Sequence, residues 1–390
     1  SLFDTAPALT APAGYVVNLD TNIVVYEKNS ETQLSAASLT KMMTALLLLE
    51  SGKDLNGEVT VPTDLTQEFK DIQNANGTTM GLRIGETVRR IDLLNALLIT
   101  SANDAASVIA WDVGGSLNAF IQQMNARAAE LGCTSATFTC AHGLYDYGNV
   151  ASAEDMAKIA AACAANETFA QVAGSTTYTL GQTNFHSEQR TISSSNPLMD
   201  ASGAYYKDSV KWVKGGFTTL AGRCAVALAQ KDGHTYGLVI LGSDSNEHLY
   251  SECDELFDWA FASFADRPLV DTQTVVTTVD LTKCRTHPEV ELYAAARVSG
   301  YGHADDKVSY SFDLPESVSA TVKNGQKLGT ATVYLDGCEV GQVDLVTHQE
   351  YVSDFRTDSR STLLLLSVVT LACGGGSRNL NRRRRMKRRR

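Results

Sequence analysis

Proline is scarce in this chain, and the short spacings that bind metal ions are missing. Only seven of the 390 residues are proline and 44% are hydrophobic, which predicts a large buried core divided over more than one domain. Neither Cys-x-x-Cys nor His-x-x-x-His occurs, so we expect no metal site. Among the eight cysteines, Cys133 with Cys140 and Cys284 with Cys338 are candidate disulfides, although spacing alone does not fix the pairing.

Excess positive charge is absent except at the C-terminus. Residues 378–390 contain nine basic residues and no acidic ones, whereas the preceding part has 24 basic against 44 acidic residues, a net charge of −20. The large negative net charge of residues 1–377 argues against nucleic-acid binding. The N-terminus, Ser1 to Asp4, lacks the charged segment and apolar core of a signal peptide, so we expect a processed chain or an internal start.

An uncharged segment, residues 361–377, precedes the basic tail. As a helix it would be roughly 25 Å long, the lower limit for a membrane span. The basic cluster at 382–390 would stay on the cytoplasmic side and leave the acidic body outside. Because Gly374–Gly376 weaken a helix, a shallow interfacial anchor is the alternative. In either form we expect the C-terminus, from residue 352 to 390, to bind membrane lipid.

A serine and a lysine stand three residues apart at Ser38 and Lys41, where the apolar run 42–49 begins. In a helix that starts near Ser38 the two side chains share one face. A serine hydroxyl needs a neighbouring base to become a nucleophile, and a lysine supplies one when burial or a second cation lowers its pKa. The simpler alternative is a serine that caps the helix, with an exposed lysine.

Two further motifs follow in order. Ser101-Ala102-Asn103 comes after an apolar helical segment, and Lys214-Gly215-Gly216 follows a strand that begins near Val210. With Ser38-x-x-Lys41 they resemble the motifs of the penicillin-recognising serine enzymes. Residues 36–44 and the His142-Gly143-Leu144 segment are similar, more specifically, to the low-molecular-mass penicillin-binding proteins that act as serine D-Ala-D-Ala carboxypeptidases. This similarity extends over roughly residues 14 to 350.

This resemblance implies a role for each motif residue. Ser38 would be the nucleophile and Lys41 its general base, while Ser101 would relay a proton to the leaving amine. Asn103 would bind the substrate backbone or orient Lys41, and Lys214 would be the second cation. Backbone N–H groups of Ser38 and Phe217 would form the oxyanion hole. Each has a simpler alternative: Ser101 and Asn103 as helix caps, Lys214 as a solvated strand end, and His142 as a loop residue bonded to backbone.

One departure from the family lies at Gly215, where a threonine is usual. The missing hydroxyl would help to hold the substrate carboxylate, so Thr218 or Thr219 is a candidate replacement. Residues 243–246 lack the arginine that some relatives use for this purpose, which leaves Arg223 as a candidate. The predicted substrate-binding residues are therefore Gly215, Gly216, Phe217 and Thr218.

The predicted fold class is α/β (α+β), with an antiparallel sheet flanked by helices and a small all-β C-terminal domain. Strand pairs are expected around Asp20-Thr21 and around 231–233, helices through most of 38–173, and a closing helix over 253–264. After Pro268 the pattern changes to short strands and turns. We thus predict a catalytic domain over 1–268, a β domain over 269–351, and a membrane anchor with the basic tail over 352–390.

The resemblance implies an enzyme that removes the terminal D-Ala from a peptidoglycan pentapeptide, without a metal or organic cofactor, at the extracytoplasmic face of a bacterial membrane. β-Lactam antibiotics would acylate the same serine. A DD-endopeptidase and a weakly active wall receptor or scaffold remain as alternatives. A class A β-lactamase is disfavoured because no Glu-x-x-Leu-Asn lies between the second and third motifs.

Overall fold

Two compact units make up the protein, and the division falls between Phe261 and Ala262. The computed structural model describes residues 6–144 and 148–354. The predicted membrane segment, 361–377, and the basic tail lie outside these described residues. Within them, no helix combines the length and the apolar character that a membrane crossing requires.

Eight α-helices are present in the described residues, all of them in the part of the chain that ends at residue 263. They are α1 (Lys41–Glu50), α2 (Thr66–Asn74), α3 (Arg90–Ile99), α4 (Asn103–Gly114), α5 (Leu117–Glu130), α6 (Ala153–Ala164), α7 (Glu167–Ala173) and α8 (Asn246–Ser263). The last helix begins seven residues before the predicted start. Its first two turns are mostly polar, so they lack the apolar periodicity from which a helix is predicted.

Eleven strands of the first unit lie in the described residues, and five of them form its main sheet. They are β1 (Ala13–Asn18), β2 (Ile23–Lys28), β3 (Leu34–Ser35), β4 (Glu58–Thr60), β5 (Thr87–Arg89), β6 (Val150–Ala151), β7 (Thr177–Leu180), β8 (Arg190–Ser193), β9 (Val210–Thr218), β10 (Gly222–Lys231) and β11 (His234–Ser243). The sheet has the order β2-β1-β11-β10-β9 and is antiparallel throughout. Both predicted strand pairs are present, β1 with β2 and β10 with β11.

Helix α1 lies at the centre of the first unit. Seven of its ten residues are buried, and the helix contacts α3, α4, α5, α6 and α7. A helix that is apolar on nearly all sides is stable only when other elements surround it. Its first residue, Lys41, therefore lies in the core. The short 3-10 turn Ala37–Thr40 precedes it and packs against strand β9.

Up to residue 354, where the described part ends, the second unit is built mainly from strands. They are β12 (Phe264–Val270), β13 (Val275–Thr282), β14 (Glu289–Ala294), β15 (Val298–His303), β16 (Val308–Asp313), β17 (Ser317–Ser319), β18 (Lys327–Leu335) and β19 (Cys338–Val346). Six of them form one sheet in the order β16-β18-β19-β14-β13-β17, and β12 pairs with β15. Alternating residues such as Val290, Leu292 and Ala294 form its core. The predicted fold class is confirmed in both units.

Neither candidate disulfide is formed. Cys133, Cys140 and Cys284 each carry a free thiol. Cys140 Sγ accepts a hydrogen bond from the Gly143 backbone N–H at 3.2 Å, and Cys284 Sγ lies 3.3 Å from Thr286 Oγ1. Sequence spacing sets neither the distance between two cysteines in the fold nor the direction of their Cβ atoms, and a disulfide depends on both.

Candidate active site

A cleft of about 1000 Å³ runs along the outer edge of strand β9. The predicted residues Ser38, Ser101, Asn103 and Lys214 all line it. Among the described residues that line the cleft, Lys214 and Arg223 are the only cations and no aspartate or glutamate is present. The cleft is therefore suited to a ligand that carries a negative charge, although the body of the protein is acidic.

Ser38 and Lys41 are in direct contact. Lys41 Nζ lies 2.9 Å from Ser38 Oγ, because Ser38 lies in the 3-10 turn and Lys41 begins α1 one turn later. Lys41 is completely buried, and neither the 3-10 turn nor α1 has a side-chain cap at its N-terminus. The alternative of a capping serine with an exposed lysine is therefore wrong.

Two oxygen atoms besides Ser38 Oγ surround the Lys41 amine. Asn103 Oδ1 and the His142 carbonyl oxygen each accept a hydrogen bond from Nζ at 2.8 Å. Burial lowers the pKa of Lys41 well below its ordinary value, and the charge of Lys214 lowers it further. A neutral amine has two N–H groups and one lone pair. With the two oxygens accepting these N–H groups, the neutral form of the amine has its lone pair left for Ser38 Oγ, 2.9 Å away.

Helix α4 begins at Asn103, and its N-cap residue, Ala102, provides no side-chain cap. Asn103 is buried, and its Nδ2 donates to the Thr78 carbonyl at 3.0 Å, which directs Oδ1 to Lys41. Ser101 has a φ of +60°, a left-handed conformation that is uncommon for serine. Strain of this kind is often found at functional sites. Neither Ser101 nor Asn103 acts as the predicted helix cap.

Lys214 lies inside strand β9 and is 4% exposed, so the alternative of a solvated strand end is wrong. Its Nζ donates to Ser101 Oγ at 3.0 Å and to the Gly215 carbonyl at 2.7 Å. Burial lowers the pKa of Lys214 to about 7. In its protonated form Lys214 is the second cation whose charge lowers the pKa of Lys41.

The two glycines of the third motif have different surroundings. A Cβ atom at Gly216 would lie 2.9 Å from the Ser38 backbone nitrogen, so a side chain there displaces the backbone that carries the nucleophile. At Gly215, by contrast, the nearest atoms, Asn196 Nδ2 and the Cys224 carbonyl oxygen, would be 3.9 Å away. The space beside Gly215, where the related enzymes usually have a threonine side chain, is therefore open to the cleft.

Phe217 and Arg223 lie side by side at the mouth of the cleft. They are cross-strand partners on β9 and β10, and the Arg223 guanidinium stacks over the Phe217 ring with its carbon 4.6 Å from the ring centre. Phe217 is 56% exposed. In the described part of the chain, Arg223 forms no ion pair. Thr218 also lines the cleft, and its Oγ1 accepts a hydrogen bond from the Ala221 N–H in the turn between these strands.

The structure also contains a polar group that the sequence did not indicate. Glu68 Oε1 accepts a hydrogen bond from Ser107 Oγ at 2.8 Å and lies 2.9 Å from His142 Nε2. The Leu144 backbone N–H donates to His142 Nδ1 at 3.0 Å, so His142 is indeed bonded to backbone but is also held by a carboxylate. One available signal was the four-residue spacing of Asn103 and Ser107, which places both on one helix face.

No cluster of three or more histidine, cysteine, aspartate or glutamate residues in the described ranges is arranged to hold a metal ion.

Comparisons with known proteins agree with this geometry. Residues 3–245 match the D-alanyl-D-alanine carboxypeptidase family, and residues 264–353 match the C-terminal domain of penicillin-binding protein 5. The chain belongs to the D-alanyl-D-alanine carboxypeptidase family. The family match spans more than half of the chain, and the predicted resemblance to low-molecular-mass penicillin-binding proteins is confirmed.

Individual relatives cover most of the chain. The D-alanyl-D-alanine carboxypeptidase DacF of Bacillus subtilis is 27% identical over 330 residues, which are 84% of this chain and 82% of the relative. DacC of Escherichia coli is 28% identical over 352 residues, 87% of this chain and 84% of the relative. The crystal structure of DacD from Francisella tularensis shares the fold, with a TM-score of 0.65 at 19% identity over 89% of this chain and 95% of that chain.

The protein is therefore a serine-type D-Ala-D-Ala carboxypeptidase, a hydrolase of the penicillin-binding group that acts on peptidoglycan in the cell wall and binds β-lactams. The predicted activity is confirmed at this level.

Proposed function

We propose that Ser38 Oγ attacks the carbonyl carbon of the penultimate D-Ala and that Lys41 takes the hydroxyl proton. An acyl-enzyme forms when the peptide bond breaks and the terminal D-Ala leaves as a free amino acid. Water then hydrolyses the ester, which releases the shortened stem peptide and regenerates Ser38. The observation that carries this proposal is the buried Lys41 amine, whose Nζ lies 2.9 Å from Ser38 Oγ and whose pKa is lowered by burial and by the charge of Lys214.

Ser101 is the proton relay in this scheme. Its hydroxyl is hydrogen-bonded to Lys214 on the cleft side, so it can donate a proton to the leaving amine while Lys214 supplies positive charge. The backbone N–H groups of Ser38 and Phe217 are the proposed oxyanion hole, and the absence of a side chain at Gly216 keeps the strand close to Ser38. Asn103 holds Lys41 and is also near enough to the cleft to bind the substrate backbone.

The substrate carboxylate is bound on the strand side of the cleft, beside Gly215 and Thr218. Lys214 donates to Ser101 and to the Gly215 carbonyl, so two of its N–H groups are already in use. Arg223 lies at the same edge with no ion-pair partner among the described residues. We assign it the main ionic contact with the carboxylate, since a guanidinium matches a carboxylate in shape and remains charged at neutral pH.

The C-terminal part has a separate role in this proposal. The boundary between the catalytic domain, predicted over 1–268, and the β domain, predicted over 269–351, is taken at Phe261–Ala262, because Phe264–Val270 is a strand that pairs with β15. Residues 352–390 hold the enzyme on membrane lipid with the catalytic domain on the extracytoplasmic side. The uncharged segment 361–377 and the basic residues after it support this arrangement. Charged substitutions, Leu364→Glu with Leu365→Glu, should move the full-length enzyme from the membrane pellet to the soluble fraction. Retention in the pellet would contradict the proposal.

The decisive experiment measures two reactions of one preparation. A fluorescent penicillin should label the wild type, and the same enzyme should release D-Ala from a diacetyl-Lys-D-Ala-D-Ala tripeptide; Ser38→Ala should do neither. Labelling without D-Ala release would favour a wall receptor. Cleavage of a cross-linked muropeptide dimer faster than of the tripeptide would favour a DD-endopeptidase. Full labelling of Ser38→Ala would refute the assignment of the nucleophile.

A further inference from the structure

Glu68 lies outside the cleft, on helix α2, yet it contacts two segments that reach the catalytic lysine. Its Oε1 atom accepts a hydrogen bond from Ser107 Oγ at 2.8 Å and faces His142 Nε2 at 2.9 Å. Both side chains are largely protected from water, with 23% of Glu68 and 11% of His142 exposed. A single carboxylate oxygen thus joins helix α4 to the loop that follows α5.

Each of these two segments provides one acceptor for Lys41. Ser107 lies one helical turn after Asn103, and its Oγ is also 3.3 Å from the Asn103 carbonyl oxygen. Asn103 Oδ1 is the first acceptor of the lysine amine. The second is the backbone carbonyl oxygen of His142 itself. Glu68 is therefore hydrogen-bonded to both of the segments that carry the acceptors of Lys41.

We propose that Glu68 is a positioning residue for the general base, acting through Ser107 and His142. By holding both acceptors in place it directs the lone pair of Lys41 at Ser38 Oγ. This inference rests on the proposed roles of Ser38 and Lys41. Those roles depend on the contact between the two side chains, whereas the inference adds that a carboxylate outside the cleft keeps that contact in the reactive orientation.

The bonds of His142 show what Glu68 must supply. Because the Leu144 N–H donates to Nδ1, the proton of the neutral imidazole is on Nε2 and is donated to Glu68. The Ser107 hydroxyl donates to the same oxygen. Glu68 thus acts as an acceptor of two hydrogen bonds, a role that the oxygen of a glutamine amide can also fill. An alanine at this position cannot.

The test compares three variants of the full-length enzyme in acylation by a fluorescent penicillin. Glu68→Ala should lower the acylation rate constant by roughly 10²-fold, the size expected when a catalytic group is misplaced by about an ångström. The fraction of enzyme that is finally labelled should stay complete. Glu68→Gln should retain most of the rate. Asp71→Ala, which removes an exposed carboxylate from the same helix, should react like the wild type.

The amplitude of labelling separates positioning from folding. If Glu68 only stabilises the fold, Glu68→Ala will label a smaller fraction of the enzyme at an unchanged rate constant, and the proposal is overturned. It is also overturned if Glu68→Ala reacts as fast as the wild type, or if Glu68→Gln is as slow as Glu68→Ala. A failure of the catalytic assignment itself would look different, because Ser38→Ala would then still be labelled.

Discussion

The two walls of the cleft differ in how completely their polar groups are paired. On the helical wall, formed by Ser38, Lys41 and Asn103, the lysine amine has three hydrogen-bonding neighbours and is fully buried. On the strand wall, formed by Gly215, Phe217 and Arg223, there is open space beside Gly215 and a guanidinium without an ionic partner in the described residues. The polar groups of the helical wall are thus paired before the substrate binds, whereas those of the strand wall are left to pair with the substrate.

This contrast separates chemistry from recognition. A reacting group must be held in a fixed position before the substrate binds, since any reorganisation during the reaction adds to the barrier. A binding group can instead remain exposed to water until the ligand replaces that water. Substitutions on the helical wall should therefore change the rate of acylation, and substitutions on the strand wall should change KM.

The largest effect is expected on the helical wall, for Lys41→Met. Methionine is of similar length but has no base, so acylation by penicillin and by the tripeptide should fall by roughly 10² to 10⁴-fold, the usual contribution of a general base. Stopped-flow or gel-based labelling gives the rate constant, and thermal unfolding shows whether the variant is folded. A folded Lys41→Met that acylates at the wild-type rate would exclude this lysine as the base.

Gly216→Ala tests the point at which the two walls meet. The added Cβ would be 2.9 Å from the Ser38 nitrogen, so the strand or the nucleophile must shift and the proposed oxyanion hole is disturbed. Loss of one oxyanion donor costs roughly 10² to 10³ in kcat, and we expect a decrease of this order with a smaller change in KM. A variant with unchanged kcat would show that Gly216 does not border the reacting carbonyl.

On the strand wall, Arg223→Ala should raise KM for the tripeptide roughly 10- to 100-fold, because a hydrogen bond to a charged group contributes about 1.5 to 3 kcal/mol. The value of kcat should change little. Lys231→Ala is the matched control, since it removes one exposed positive charge from the far end of the same strand. Equal effects of the two variants would mean that Arg223 acts only through net charge.

The sequence predicted well the part of this site whose residues are close together along the chain. Ser38 and Lys41 are three residues apart, so any helical turn brings them together, and the contact follows from backbone geometry alone. The convergence of Ser101, Asn103 and Lys214 has no such local cause. It was expected only because their order along the chain resembles that of a known family, and the fold class was inferred in the same way.

Other features depend on contacts between residues that are far apart along the chain. The partners of Glu68 are 39 and 74 residues away along the chain, and such contacts depend on tertiary packing rather than on local pattern. The strand pair of β4 with β5 has only three residues in each strand, too few for an alternating pattern to be recognised within a largely helical region. The open space at Gly215 likewise depends on Asn196, whose position is set by a loop.

The charge of Lys214 should make recognition on the strand wall depend on pH. Its pKa of about 7 means that it is protonated below pH 7 and neutral above, so attraction for a carboxylate decreases as pH rises through 7. The value of kcat/KM for the tripeptide should then fall more steeply between pH 7 and 9 than that for the same peptide with a C-terminal amide. Parallel profiles for the two peptides would show that Lys214 does not contact the carboxylate.

The smallest expected effect is a gain, from Gly215→Thr. The nearest atoms are 3.9 Å from the new Cβ, an ordinary van der Waals distance, and a β-branched residue is favourable in a strand. Its hydroxyl adds one hydrogen bond to the carboxylate, a contribution of about 0.5 to 1.5 kcal/mol, which should lower KM a few-fold at constant kcat. Gly215→Val has the same shape without the hydroxyl. If both variants lower KM equally, the benefit comes from a stiffer strand, and the strand wall recognises its ligand without a hydroxyl at this position.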